Sequence, residues 1–136
     1  MKTAKPTRIL LVDDHPVFLR LIADYLRLNG ADEVTVVGVA HDGQEALYLA
    51  KKLRPKIVLL DLIMPGLSGF DTIPRLRALV PKVYIIILTA RDLPAYRQAT
   101  LDAGADDFVT KTNMFTELML AIHRARDKTL KRKVKP

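Results

Sequence analysis

Four short apolar runs, each ending on a polar or charged residue, constrain this chain more than any other feature. Residues 9–14 read ILLVDD, 57–61 read IVLLD, 83–89 read VYIIILT and 106–111 read DDFVTK. Short apolar runs rich in Ile and Val suit strands buried on both faces, as in a parallel sheet covered by helices. With the strands parallel, Asp13, Asp14, Asp61, Thr89 and Lys111 meet at one edge of the sheet. That is the edge at which open α/β folds bind their ligands.

Strand-like and helix-like segments alternate about five times, the pattern of an α/β fold. Strands are expected near 8–12, 34–39, 57–61, 83–88 and 106–109. The first helix is expected over 16–28, with apolar residues at 18, 21, 22, 25 and 26, Pro16 in its first turn and Gly30 ending it. A second covers 44–53, entered at Asp42 and closed before Pro55. The third, 70–79, contains Pro74. An interior proline removes a hydrogen bond and clashes with the preceding turn, at a cost of about 3 kcal/mol, so either the helix is kinked or, the better reading, its regular part begins near Ile73. The fourth, 94–103, stops at Gly104, and the fifth starts at about Met114 with Asn113 as N-cap. Residues 118–122 are apolar throughout, which fits deep core packing better than a partner-binding face.

A chain of 136 residues fits one domain that buries roughly two thirds of its unfolded surface. No apolar stretch approaches the roughly 18 residues of a membrane span. Lys2, Lys5, Pro6 and Arg8 leave no hydrophobic core for a secretion signal, so a soluble, cytoplasmic protein is expected. The absence of cysteine excludes disulfides and thiolate metal sites. Net charge is +7, but the last 13 residues hold seven Lys or Arg against Asp127 alone, leaving a single net charge for the other 123. Basicity therefore belongs to the tail. Such lysines can neutralise phosphates, yet no recognition helix or aromatic platform accompanies them, so a solvated helix end plus linker is the better reading than nucleic-acid binding.

Asp13, Asp14 and Asp61 set close together repel by roughly 4 kcal/mol per close pair at an effective dielectric near 20. A divalent cation removes that penalty, and hard oxygen ligands suit Mg2+. One carboxylate can then serve as nucleophile in phosphoryl transfer, a reaction that needs positioning and charge neutralisation above all. Lys111 supplies fixed positive charge and Thr89 a hydroxyl donor for phosphoryl oxygens.

Asp13-Asp14, then Asp61 in DLIMPG with Gly69 following, then Thr89-Ala90, Gly104-Ala105 and Lys111, resembles the receiver domain of two-component response regulators over roughly residues 7 to 127. The resemblance implies a flavodoxin-like (βα)5 three-layer sandwich with a parallel five-stranded sheet in order 2-1-3-4-5. It implies Asp61 as phosphoacceptor and a Mg2+ site of Asp13, Asp14, Asp61 and the backbone carbonyl of Ile63. Thr89 and Phe108 resemble the switch pair: phosphate draws the hydroxyl inward and the ring turns into the space that opens. A sensor histidine kinase or phosphotransfer protein is the implied donor, with a homodimer as an available state. Such a domain is no enzyme, apart from catalysing its own phosphorylation and dephosphorylation.

Asp14-His15-Pro16-Val17-Phe18 resembles the opening of receivers that precede a LuxR-type helix-turn-helix domain. His15 at a helix start reads as a capping or solvated residue rather than part of the metal site. Many receivers carry proline after the active-site lysine; here Thr112 follows Lys111, so a trans bond is expected, or a locally strained loop. Residues 7–127 are read as the receiver and 128–136 as a basic tail or truncated linker. Two outputs stay open: transcription control through an effector domain absent from this chain, which alone would touch DNA, or a stand-alone receiver acting by protein contact. An aspartate-nucleophile phosphatase fits less well, because Ile63 stands where that chemistry wants an acid.

Overall fold

Five strands alternate with five helices: β1 (Thr7–Val12), α1 (Pro16–Asn29), β2 (Val34–Ala40), α2 (Gly43–Leu53), β3 (Ile57–Leu60), α3 (Gly69–Leu79), β4 (Tyr84–Thr89), α4 (Pro94–Ala103), β5 (Asp107–Thr110) and α5 (Met114–Val134). The computed structural model describes the backbone of residues 5–134 and the side chains of residues 5–128. All strand pairs are parallel, and the order is β2-β1-β3-β4-β5. This is the expected flavodoxin-like three-layer sandwich.

Alternation along the strands divides the core in two. Ile9, Leu11, Ile57, Leu59, Ile86, Leu88 and Val109 face α1 and α5, where Leu19, Ile22, Leu118 and Ile122 meet them. Leu10, Val12, Val58, Leu60, Ile85, Ile87 and Phe108 face the other way, onto Ala46, Ala50, Ile73 and Leu76. Both faces of each central strand are therefore covered, which is why the sequence shows continuous apolar runs instead of period-two patterning. Each fully buried Ile or Leu stabilises the fold by about 1.5–3 kcal/mol relative to exposure. The apolar stretch of α5 splits as a helix requires: Leu118, Ala121 and Ile122 are buried, while Leu120 is exposed.

Two local expectations are corrected. Helix α3 does not wait for Ile73 but is helical from Gly69, with Pro74 inside it. Ser68 caps the start by accepting from the Asp71 amide at 3.3 Å, and the Thr72 hydroxyl donates to the Ser68 carbonyl at 2.7 Å. The cap and the buried Thr72, Ile73 and Leu76 outweigh one ladder bond lost at an exposed position. Asn113 does not cap the last helix through its side chain. A 3-10 turn, Lys111–Asn113, precedes α5, and this turn is capped by Thr110, whose hydroxyl oxygen accepts from the Asn113 amide at 3.3 Å. The β3 strand ends at Leu60, one residue before Asp61, and no cis peptide occurs among the described residues, so Lys111-Thr112 is trans.

The α5 backbone crosses the expected boundary at 127 and continues to Val134. Of the basic residues expected there, Arg124 bonds Asp107 and Lys128 approaches Asp106, so these two serve the body of the domain. The expectations resting on the side chains of Lys2, Lys131, Arg132, Lys133 and Lys135 lie outside the described residues. Among the described residues no helix is long and apolar enough to cross a membrane.

Candidate functional site

The parallel sheet brings Asp13, Asp14, Asp61, Thr89 and Lys111 to its C-terminal edge, as the strand ends foretell. Asp13 follows β1 directly, and its amide extends the ladder to the Ala40 carbonyl at 3.1 Å. Asp61 follows β3, where its amide bonds the Val12 carbonyl at 3.0 Å and its Oδ1 accepts from the Leu62 amide at 2.9 Å. Beneath Asp61 lies Gly69: a Cβ there would strike the Asp61 carbonyl and come within 2.6 Å of Leu62 Cα. Only glycine lets the start of α3 pack this closely under the acid.

Lys111 reaches back across the edge from the turn after β5. Its Nζ sits 2.7 Å from Asp13 Oδ2 and 3.9 Å from Asp61 Oδ2. The same ammonium lies 4.0 Å from the centroid of the Phe18 ring, a cation–π contact that helps to hold the side chain. Phe18 was legible only as an apolar position on a helix; nothing in its spacing announces a role beside a lysine.

Charge at the site is not balanced. Burial and then the neighbouring Asp13 charge push the Asp61 carboxyl up to about 6, and Lys111 offsets this only in part. Asp14 Oδ1 is buried and has no hydrogen-bond partner. A buried orphaned oxygen among three carboxylates is the donor set a divalent cation satisfies, and Asp13, Asp14, His15 and Asp61 offer ligand atoms all within 4.8 Å of one another. His15 is solvated as expected, with its side chain 65% exposed, but it also stands within the acidic cluster, which the expectation did not include. It makes no side-chain cap to α1; its Nδ1 is bonded to Asp13 Oδ1 at 2.9 Å, and lies 3.1 Å from Asp14 Oδ1.

Thr89 is the last residue of β4 and buried, with its Oγ1 accepting from the Arg91 amide at 3.2 Å. Phe108 already lies inside, 4% exposed, in the half-core beneath α2 and α3. The Arg97 guanidinium of α4 stands 4.5 Å over its ring. Arg97 had no sequence signal, since one arginine on an exposed helix resembles any other. The Ile63 side chain is 45% exposed and takes no part in the acidic cluster.

Comparison with known proteins agrees with this geometry. The model of the response regulator receiver domain matches residues 9–123. The nitrate/nitrite response regulator NarP of Escherichia coli is 40% identical over 122 residues, covering 90% of this chain and 56% of that protein. The chain spans about half the length of the curated relatives it matches. Among solved structures, the receiver domain of a NarL regulator from Mycobacterium tuberculosis superimposes with a TM-score of 0.82 at 34% identity, covering 90% of this chain and 98% of that one. A Burkholderia pseudomallei response regulator solved with a phosphorylated aspartic acid, a calcium ion and citrate has a TM-score of 0.76 at 27% identity, over 93% of this chain and 72% of that one. Strand order, acidic edge and family match converge: the chain belongs to the receiver domains of two-component response regulators.

Proposed function

We propose that the domain takes a phosphoryl group from a sensor histidine kinase or phosphotransfer protein onto Asp61, with Mg2+ held by Asp13, Asp14, Asp61 and the Ile63 backbone carbonyl. The observation that carries this reading is the Lys111 ammonium set between Asp13 and Asp61, at 2.7 and 3.9 Å, beside an orphaned Asp14 oxygen. The related Burkholderia regulator, with its phosphorylated aspartate and calcium ion, supports it.

When bound, the cation neutralises the carboxylates and orients phosphoryl oxygens. An Asp61 oxygen attacks phosphorus; the bond to the donor's imidazole nitrogen breaks, and the nitrogen leaves with the electron pair. Lys111 balances the charge that gathers on the equatorial oxygens. Thr89 accepts through its oxygen at present, so its hydrogen is the part offered to the phosphoryl group. Movement of Thr89 alters the packing around Phe108 and Arg97, and so the surface of α4, β5 and α5.

That surface is the proposed output face and the place for a homodimer. The receiver unit begins at residue 7 and takes in Lys128, which pairs with Asp106, and an effector domain outside this chain is the route through which the whole protein controls transcription in the cytoplasm. The relatives of about twice the length support this arrangement. The domain catalyses only its own phosphorylation and dephosphorylation. A phosphatase would want an acid at the position of the exposed Ile63.

Incubation with Mg2+ and acetyl phosphate tests the reading. Intact mass spectrometry is expected to find one phosphoryl group, stable in acid and labile in base, on the wild type and none on Asp61→Asn. A wild type that stays unmodified by both acetyl phosphate and a phosphorylated kinase overturns it.

A further inference from the structure

His15 is the one member of the acidic cluster that the phosphoryl-transfer scheme leaves without a task. We propose that it adds a nitrogen ligand to the divalent ion of this site and shifts the site's preference from Mg2+ toward first-row transition ions such as Co2+. The inference rests on the receiver reading of Asp13, Asp14 and Asp61 as the metal site.

Nδ1 of His15 faces two carboxylate oxygens at once, Asp13 Oδ1 at 2.9 Å and Asp14 Oδ1 at 3.1 Å. The first contact is a hydrogen bond. The second is not, and Asp14 Oδ1 is left buried without a partner. One ring hydrogen cannot serve both oxygens, but one cation can. Adjacent ligands of an octahedral ion with bonds near 2.1 Å stand about 3 Å apart, and both separations match that spacing.

The ring is also open to solvent, with its side chain 65% exposed. His15 is the N-cap residue of α1, where its carbonyl accepts from the Leu19 amide and its own amide donates to Asp13 Oδ1, so the backbone holds the ring at the site. Carboxylate and carbonyl oxygens suit Mg2+, whereas an imidazole nitrogen raises affinity for the later transition ions and adds little for Mg2+. His15 thus acts on the choice of ion more than on the presence of a site.

Co2+ and Mg2+ titrations of the intact chain, followed by calorimetry and by visible absorption of Co2+, distinguish the outcomes. His41 beside Glu45, and His123 beside Glu33, are the further His–carboxylate pairs among the described residues, so the titrations use a His41→Ala/His123→Ala background. In that background His15→Ala and His15→Gln are expected to weaken Co2+ by roughly tenfold or more while changing Mg2+ less than about twofold, with loss of the imidazole contribution to the Co2+ spectrum. An equal loss for both ions makes His15 a positioning residue for Asp13 and overturns the proposal. Unchanged Co2+ affinity overturns it too, with the metal-site reading intact. If the parent chain binds neither ion, the metal-site reading itself fails and takes the proposal with it.

Discussion

The two edges of the sheet carry charge in opposite ways. At the C-terminal edge stand three carboxylates, Asp13, Asp14 and Asp61; one ammonium reaches Asp13 and Asp61, and an oxygen of Asp14 is left over. At the N-terminal edge Asp106 meets Arg77 at 2.7 Å and Lys128 at 3.5 Å, while Asp107 meets Arg124 at 2.8 Å. There two acids face three cations, and the Ile85 and Phe108 amides and the Tyr84 hydroxyl donate to them as well. A paired cluster holds strands and helices in place; an acidic surplus costs stability and persists where something else brings the missing charge. The contrast separates scaffold from site without reference to any motif.

The balanced edge should break hardest. Arg77 donates to the Asp106 carboxylate, to the Gly104 carbonyl at 2.6 Å, to the Pro81 carbonyl at 3.1 Å and to the Val83 carbonyl. Arg77→Ala strands several acceptors and half-deprives Asp106, though Lys128 remains. A loss of about 2–3 kcal/mol is expected in urea unfolding, at the low end for a broken internal pair because the site is partly open to water. Phosphorylation of the still-folded fraction should proceed as before. A loss below about 0.5 kcal/mol would place this edge with ordinary surface ion pairs.

The unbalanced edge should respond with the opposite sign. Asp61→Asn keeps an acceptor for the Leu62 amide and removes a charge that burial and Asp13 disfavour. In metal-free buffer at pH 7 it is expected to stabilise the fold by on the order of 1–2 kcal/mol, after allowance for solvent screening at the mouth of the site. The sign with pH follows from the carboxyl being raised from 3.8 to about 6 in the folded state. The folded form binds the extra proton between those values, so this group's contribution is fully present below about pH 4 and is lost as pH rises through about 6. The difference in stability between the variant and the wild type should therefore grow over that window and level off above it. Saturating Mg2+ should reduce the advantage of the variant. A variant less stable than the wild type at pH 7 would mean that the acids do not oppose one another.

Much of this division could be read from residue order. Buried parallel strands need unbroken apolar runs, and whatever follows each run must arrive at a common edge, so residue order alone directs Asp13, Asp61, Thr89 and Lys111 to that edge. The start of α3 was not legible, because Pro74 weighs heavily in a local reading while the Ser68 cap and the packing of Gly69 under Asp61 depend on the tertiary fold. The position of His15 was missed for a related reason: a lone histidine carries no pattern, and its place between two carboxylates depends on the turn after β1. Arg77 and Lys128 could not be matched to Asp106 either, since 29 residues separate Arg77 from that acid and ion pairing leaves no periodic trace.

The smallest expected effect lies between the two edges, where Arg97 covers Phe108. Its guanidinium is 4.5 Å above the ring centroid, at a half-exposed position, with Asp92 3.8 Å away. A cation–π contact open to water contributes about 0.5–1 kcal/mol. Arg97→Met keeps most of the aliphatic stem and deletes the charge, so the stability loss should fall within that range. Because the contact joins α4 to the aromatic residue that follows Thr89 in the proposed switch, a second response is expected. The Phe108 ring resonances should shift and broaden in the variant before any phosphodonor is added, while the initial phosphorylation rate at Asp61 changes little. Unaltered Phe108 resonances with an unaltered stability would reduce Arg97 to surface charge, and would leave the site edge coupled to the output face through Thr89 packing alone.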